Sequence, residues 1–325
     1  MTLNRRSAIL LAGGVLGGTV LGKAAKALDY PDRPIRFVVP YTAGGGADIA
    51  ARLLGADASG SLGQQLVIEN RGGASGVLGA EIVAKSPPDG YTIMLGTANW
   101  TISPSLFQHL PYSVSADFAP IALLAKTPSI VAVNPSLPVR SLAELIALAK
   151  ASPGKINYAS DLAGPQFLGM ELLKSMAAIE LTNIPYTGTG PAVVATIGDQ
   201  VSIVIAPANL LLPFIKNGQL RGIAVTTSKR IEALPELPTV AEAGLNGYNV
   251  SQWYGVLAPS GTPHDIVNVL NAALVRAVQS PSVQAKMAEQ IMLPVGDTPD
   301  DFAAFIKSDT DQWAKAVKLS GLPPN

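Results

Sequence analysis

The chain has 325 residues, 48% of them hydrophobic, with 23 Lys and Arg set against 23 Asp and Glu. It has no cysteine and only two histidines, His109 and His264. Disulfides, thiolate metal sites and cysteine nucleophiles are thereby excluded, a histidine zinc site or a Ser-His-Asp triad must use one of those two residues, and the even charge balance argues against a nucleic-acid surface.

The first element is an export signal. Arg5 and Arg6 precede an uncharged stretch, Ala8 to Gly22, and Ala25 and Ala27 form a small-x-small cleavage pattern that ends the signal at residue 27. That stretch is shorter than the roughly 20 residues needed to cross a bilayer. The paired arginines, with Lys23 and Lys26 near the cleavage site, resemble a twin-arginine signal. An ordinary secretory signal is the other reading, and an uncleaved anchor the least favoured. Either signal delivers the mature protein to the periplasm. Removing 27 residues leaves 298, enough for two domains, and removes four positive charges; the mature balance of 19 against 23 is a net −4.

Residues 34–40, PIRFVVP, read as a buried parallel strand. A glycine loop follows, then a helix starting near Gly46, with Ile49, Ala50, Leu53 and Leu54 expected on one face. Residues 64–70 form the next strand, 72–86 a glycine-rich loop leading into a helix, and 87–97 a Pro-Asp-Gly turn leading into a third strand. A long extended run at 120–134 is expected to cross between domains. Ser141 and Glu144 resemble a capping box. Then come a strand at 155–160, a helix at 164–179 with Leu168, Leu172 and Met176 on one face, and strands at 201–207 and 219–227. An extended return crossing at 252–263 precedes a long helix and a terminal helix that begins near Thr298, with Asp300 and Asp301 in its first turn. The β/α rhythm occurs twice. It predicts an α/β protein of two doubly wound lobes, residues 28–127 with 251–325 and residues 128–250, joined by two crossing strands around a central cleft.

Four loops fall where such sheets bind ligands. Residues 40–48, PYTAGGGAD, put Tyr41, Thr42, Ala43, Gly44 and Gly45 at a helix start, where free backbone amides and the helix dipole attract an anion. Residues 96–101 supply Thr97, Asn99 and Thr101. Residues 160–167 open on Ser160 and Asp161, and residues 186–192 hold Thr187, Gly188 and Thr189. None of these loops contains lysine or arginine, which a triphosphate would recruit. A carboxylate needs only a few donors at roughly 1.5–3 kcal/mol each, plus helix-start contributions of about 0.3–1 kcal/mol. Three or four such bonds together with the helix-start contributions give about 5–13 kcal/mol, a range that takes in the ~8 kcal/mol of a micromolar complex before association costs.

Two enzyme readings fail on detail. A dinucleotide fold would need G-x-G-x-x-G, but reading from Gly44 puts Ile49, and reading from Ala43 puts Asp48, at the third glycine position. No G-x-S-x-G elbow exists, and the histidines are isolated. His264, at a helix start, and His109, in a loop, read as structural or surface residues; Asp300 and Asp301 read as first-turn helix acids. Trp100 and Trp253 read as packing residues ahead of ligand platforms.

Residues 30–54 (YPDRPIRFVVPYTAGGGADIAARLL), the ENRGGASG and PDGYT blocks and IPYTGTGPA together resemble the Bug family, the periplasmic solute-binding proteins of tripartite tricarboxylate transporters, from about Tyr30 to the C-terminus. The resemblance implies a type II periplasmic-binding-protein fold, a small carboxylate between the lobes, membrane permease subunits as partners, and no catalysis, cofactor or metal. It places ligand contacts at Tyr41–Gly46, Thr97–Asn99, Ser160–Asp161 and Thr187–Ala192. Three departures stand out. Ala206 replaces an aspartate found in members that take amino acids, Phe167 replaces a histidine, and Thr187 replaces a lysine. They predict a ligand without an amine, an aromatic or hydrophobic carboxylate among the options, unless Asp161 pairs with a cation. A periplasmic sensor serving a signalling partner is the alternative function, because it would use the same cleft.

Overall fold

The computed structural model describes residues 30–161, 164–186 and 188–322, with Asp161 described by its backbone alone. The export signal at 1–27 and the Thr187 contact lie outside the described residues.

The first three strands form as read. The apolar run gives β1 (Ile35–Val39), followed by α1 (Gly46–Leu62), β2 (Leu66–Asn70), a short 3-10 turn (Ala74–Gly76), α2 (Val77–Ala84) and the fully buried β3 (Thr92–Thr97). The buried face of α1 differs from expectation: Ala47, Ala50, Ala51, Leu54, Ala58 and Leu62 point inward, and Ile49 is exposed. Small alanines let this helix lie close against its neighbours, so a stripe of large side chains misplaces the face by about one residue. The stretch 96–101 is not a loop. β3 runs to Thr97, and α3 (Ala98–Leu106) begins at the next residue with Pro104 inside it.

β4 (Phe118–Val133) is the long crossing strand. After it come α4 (Leu142–Ala151), β5 (Asn157–Asp161), α5 (Pro165–Ala177), β6 (Thr182–Tyr186), α6 (Thr189–Ile197), β7 (Ile203–Pro207), α7 (Ala208–Lys216) and β8 (Arg221–Val225). Ser141 caps α4 by accepting from the Glu144 amide at 3.2 Å, while the Glu144 carboxylate reaches back to the amide of Arg140 rather than of Ser141. In α5, Leu168, Met170, Leu173 and Ala177 are buried and Met176 is exposed, so the inward stripe again departs from the one read. The chain returns through β9 (Ser251–Pro259) into α8 (His264–Gln279), α9 (Pro281–Glu289), the two-residue β10 (Leu293–Pro294) and α10 (Pro299–Ser320), whose cap is Thr298. Among the described residues no helix is long and apolar enough to cross a membrane.

The strand order is β2-β1-β3-β9-β4-β7-β5-β6, with β8 and β10 also on β4. β4 therefore serves two sheets. Its first part, Phe118–Pro128, pairs antiparallel with β9, and its last part, Ser129–Val133, pairs antiparallel with β7 and β8. In the first sheet the chain moves from β1 out to β2 and then over to β3; in the second it moves from β5 out to β6 and then over to β7. Each is a reversal of winding direction, where open α/β sheets leave a crevice at the strand ends.

Candidate functional site

Strand register brings the two crevices face to face. Val38 pairs with Met94, so Tyr41 and Thr97 come level just beyond β1 and β3, and Thr97 pairs with Tyr254 of β9. Gln252 pairs with Thr127 and Ser251 with Pro128. One residue on, Ser129 pairs with Pro207 at the carboxyl end of β7, and β5 and β6 run parallel to β7, with Asp161 opposite Tyr186. Because β7 runs against β4, the carboxyl ends of β5, β6 and β7 point back toward those of β1 and β3.

Five helices, α1, α3, α5, α6 and α7, start on this face, and none has a side-chain hydrogen bond from its N-cap residue. Of the helices that start elsewhere, α4, α9 and α10 are capped by Ser141, Ser280 and Thr298, while α8 follows Pro263 without a side-chain cap. Uncapped starts leave first-turn amides without intrahelical acceptors and concentrate positive potential on one face.

At α1 the loop Thr42–Gly46 is exposed while Asp48 beneath it is buried. Asp48 Oδ2 accepts from the Gly44 amide at 2.9 Å and from Arg52 Nε at 3.0 Å; its Oδ1 accepts from Asn70 Nδ2 at 3.0 Å. Asn70 Nδ2 also donates to the Tyr41 carbonyl at 3.1 Å. The Arg52 guanidinium, helped by the Gly44 amide and Asn70, holds the Asp48 carboxyl down at about 2. The loop is thus pinned from below. The Gly44 amide, read as a free donor, is taken by Asp48, and the amides of Gly45 and Gly46 at the helix mouth are left as the open ones. Tyr41 Oη and Thr97 Oγ1 lie 2.6 Å apart, and burial raises the Tyr41 phenol above its ordinary range. Tyr254 is buried beside Gly46, and burial pushes its phenol up to about 12.

At α3 the Ala98 amide donates to Gln252 Oε1 at 3.1 Å, and Gln252 Nε2 faces Asn99 Oδ1 at 3.4 Å. Thr101 is fully buried; its hydroxyl donates to Asp309 Oδ2 at 2.6 Å, making it structural. Across the crevice, Ser160 is buried and donates to Asn183 Oδ1 at 2.7 Å. Gly188 is the N-cap of α6 and Thr189 its first residue, both half-buried. Phe167, Ala192 and Ala206 belong to the hydrophobic cores, with at most 4% exposure. Trp253 is fully buried between Phe302 and Phe305 and donates to Asp309 at 2.8 Å, a packing role.

The sequence reading missed Asp48 as the pin of the loop, and it missed Asn70, Gln252 and Tyr254 altogether. Asn70 had a signal, since it ends β2 inside the ENRGG block. Gln252 and Tyr254 had none, because the residues they meet across the sheet lie more than 120 residues away in sequence.

The family model described as tripartite tricarboxylate transporter family receptor matches residues 50–322. BugT of Bordetella pertussis is 38% identical over 295 residues, covering 90% of each chain. An R. palustris protein solved with adipate is 37% identical with a TM-score of 0.78, covering 91% of this chain and all of that one. MatC from Rhodopseudomonas palustris, solved with bound malate, is 32% identical with a TM-score of 0.74, covering 89% and 100%. The fold they share with this protein is that of the periplasmic binding proteins, two doubly wound α/β lobes joined by crossing strands. The match spans most of the chain, which belongs to the tripartite tricarboxylate transporter receptor family.

Proposed function

We propose that this protein captures a small carboxylate without an amine and hands it to the membrane permease of its transporter, and that it works in the periplasm after removal of residues 1–27. The observation that carries this reading is the exposed loop Thr42–Gly46, whose open amides begin α1 where the winding reverses. Such a mouth suits one carboxylate, and the contacts on the second lobe (Ser160, Asp161, Thr187, Gly188 and Thr189) would reach the rest of the ligand. β7 ends in Ala206 and Pro207, neither of which offers an anion to an ammonium. Adipate and malate, the acids in the two R. palustris structures, both lack an amine. The lobes would hinge where β4 changes sheets, at Pro128–Ser129, and where the chain enters β9, with boundaries at 128 and 251. We read the chain as a binder rather than an enzyme: its two histidines are exposed and set apart, one in the loop after α3 and one at the first residue of α8.

Thermal denaturation with adipate, malate, benzoate, aspartate and glutamate tests the proposal. A ligand at a hundred times its Kd adds about 2.7 kcal/mol, a shift of several degrees. An amine-free acid should give that shift. A shift from aspartate or glutamate alone would overturn the reading.

A further inference from the structure

β4 and β9 are not all that joins the lobes: α10 packs on both. Its buried residues recur at intervals of three and four from Phe302 through Ile306, Asp309 and Trp313 to Ala316, with Val317 beside the last, and make one stripe along the helix. The first part of the stripe serves the first lobe. Phe302 lies edge-on to Trp253 of β9 at 5.7 Å, and Asp309 accepts from Thr101 of α3 at 2.6 Å and from Trp253 at 2.8 Å. The last part serves the second lobe. There α10 packs on α5, and Trp313, Ala316 and Val317 belong to the same hydrophobic cluster as Leu168 and Leu173 of α5. The chain entering β9 is gripped by both helices. Buried Tyr248 donates its hydroxyl to the Gly169 carbonyl of α5 at 3.0 Å, and the next residue, Asn249, accepts at its carbonyl from Gln312 Nε2 of α10 at 3.0 Å.

The side on which this contact lies follows from β9. Successive strand residues point to opposite faces of the sheet. Trp253 points to Asp309 of α10, and Tyr254 points to Gly46 at the mouth of α1. α10 and that mouth therefore lie on opposite faces of the crossing strand. Two strands alone would leave the lobes free to swing in more than one direction. A helix packed on both lobes behind the strands removes that freedom. Parting α10 from α5 would expose Trp313, Ala316 and Val317 to water, whereas a change in the width of the crevice exposes no such surface.

We propose that α10 is the pivot of closure: its contact with α5 stays shut while the crevice on the opposite face of β9 narrows around the ligand. The inference rests on the reading of the crevice as a ligand site for the closing motion, and on α10 and α5 for its axis.

The chain has no cysteine, so Ser175→Cys with Leu319→Cys, two exposed positions that line one depression between α5 and α10, supplies two thiols that a flexible bismaleimide can join. Adipate and malate serve as probes. By calorimetry the joined protein should bind the better of the two within about twofold of the unjoined variant, and in small-angle scattering it should contract as much. Binding or contraction lost on joining would overturn the pivot and leave the crevice reading standing, because the unjoined variant still binds. Thiols that fail to join would set the two helices apart and overturn it as well. A second measurement needs no ligand. In hydrogen–deuterium exchange of the ligand-free, unsubstituted chain, peptides covering 165–177 and 309–317 should exchange as slowly as those of β4. Fast exchange in either would overturn the pivot. An unjoined variant that ignores both acids would refute the crevice reading, and the exchange result would then uphold or overturn the fixed contact by itself.

Discussion

Asp48 offers the sharpest test of how the loop is held. Its carboxylate joins three segments: the Gly44 amide in the loop, Arg52 one turn along α1, and Asn70 at the end of β2. Asp48→Asn keeps the shape and removes the charge. One amide oxygen can still serve Gly44 or Arg52, but the new NH2 must then face a donor, either Asn70 Nδ2 or the guanidinium. Hydrogen bonds to a charged group contribute about 1.5–3 kcal/mol each. The shift of the acid from 3.8 to about 2 corresponds to roughly 2.4 kcal/mol at 1.36 kcal/mol per unit. Arg52 is half exposed, and screening reduces this to about 1–2 kcal/mol. At neutral pH the variant should therefore lose about 1–2 kcal/mol, a fall in Tm of roughly 2–3 °C at this chain length. The depressed acid stabilises the wild type above pH about 4, and that contribution is lost as pH falls through about 2. The gap between wild type and variant, followed by urea denaturation, should therefore close below pH 3. Affinity for the carboxylate should fall too, because the loop loses its anchor. A variant with unchanged Tm and affinity at pH 7, or a gap that widens on acidification, would refute the account.

Two further substitutions probe the crevice and the fold. A Cβ on Gly46 would lie 2.6 Å from the Tyr254 hydroxyl, so Gly46→Val should abolish carboxylate binding by calorimetry, and Tyr254→Phe in the same chain should restore part of it; full binding in the single variant would count against this mouth as the site. Asp297 accepts from the Leu123 amide at 2.7 Å, and burial pushes its carboxyl up from 3.8 to about 6. A raised acid stabilises the fold below pH about 4 and loses that contribution as pH climbs through 6. Allowing for its partial exposure this amounts to about 1–2 kcal/mol. Asp297→Asn should flatten the stability profile between pH 4 and 6, and an unaltered slope would dismiss Asp297 as its source.

How much was legible in the sequence depended on how local each determinant was. β1, the glycine loop and the start of α1 follow one another within 12 residues (35–46), and apolar run, glycines and amphipathic pattern all agree there. The long β4 and its return in β9 were readable because an extended apolar run has few other uses. α3 was hidden in part by Pro104, which reads as a helix breaker and is tolerated in this short helix. Inward faces were misplaced where alanine and glycine do the packing, as in α1, since hydrophobic patterns weigh large side chains most. The partners of the candidate site were illegible for another reason: Gln252 meets Ala98, and Asp309 meets Thr101, across 154 and 208 residues, and only the register of β9 and the packing of α10 bring them together.

Side-chain partners, local and distant, divide the crevice into fixed and open donors. Where a protein side chain accepts from an amide in the loop before a helix or at its start, as Asp48 does from Gly44 and Gln252 does from Ala98, the amide is spent on holding its segment. Among the described residues no side chain accepts from Gly45 or Gly46, and both glycines are exposed. Asp48 is also anionic. Set beneath Gly44, it would repel an incoming carboxylate were it not paired with Arg52 at 3.0 Å, so the pair lets a buried acid brace an anion site without opposing the anion. The same logic predicts that Arg52→Gln weakens carboxylate binding more than it weakens the fold. The substitution leaves Asp48 its Gly44 and Asn70 donors but strips its countercharge. Calorimetry set beside urea denaturation separates the two effects, and a loss of stability with affinity intact would show that Arg52 serves the loop alone.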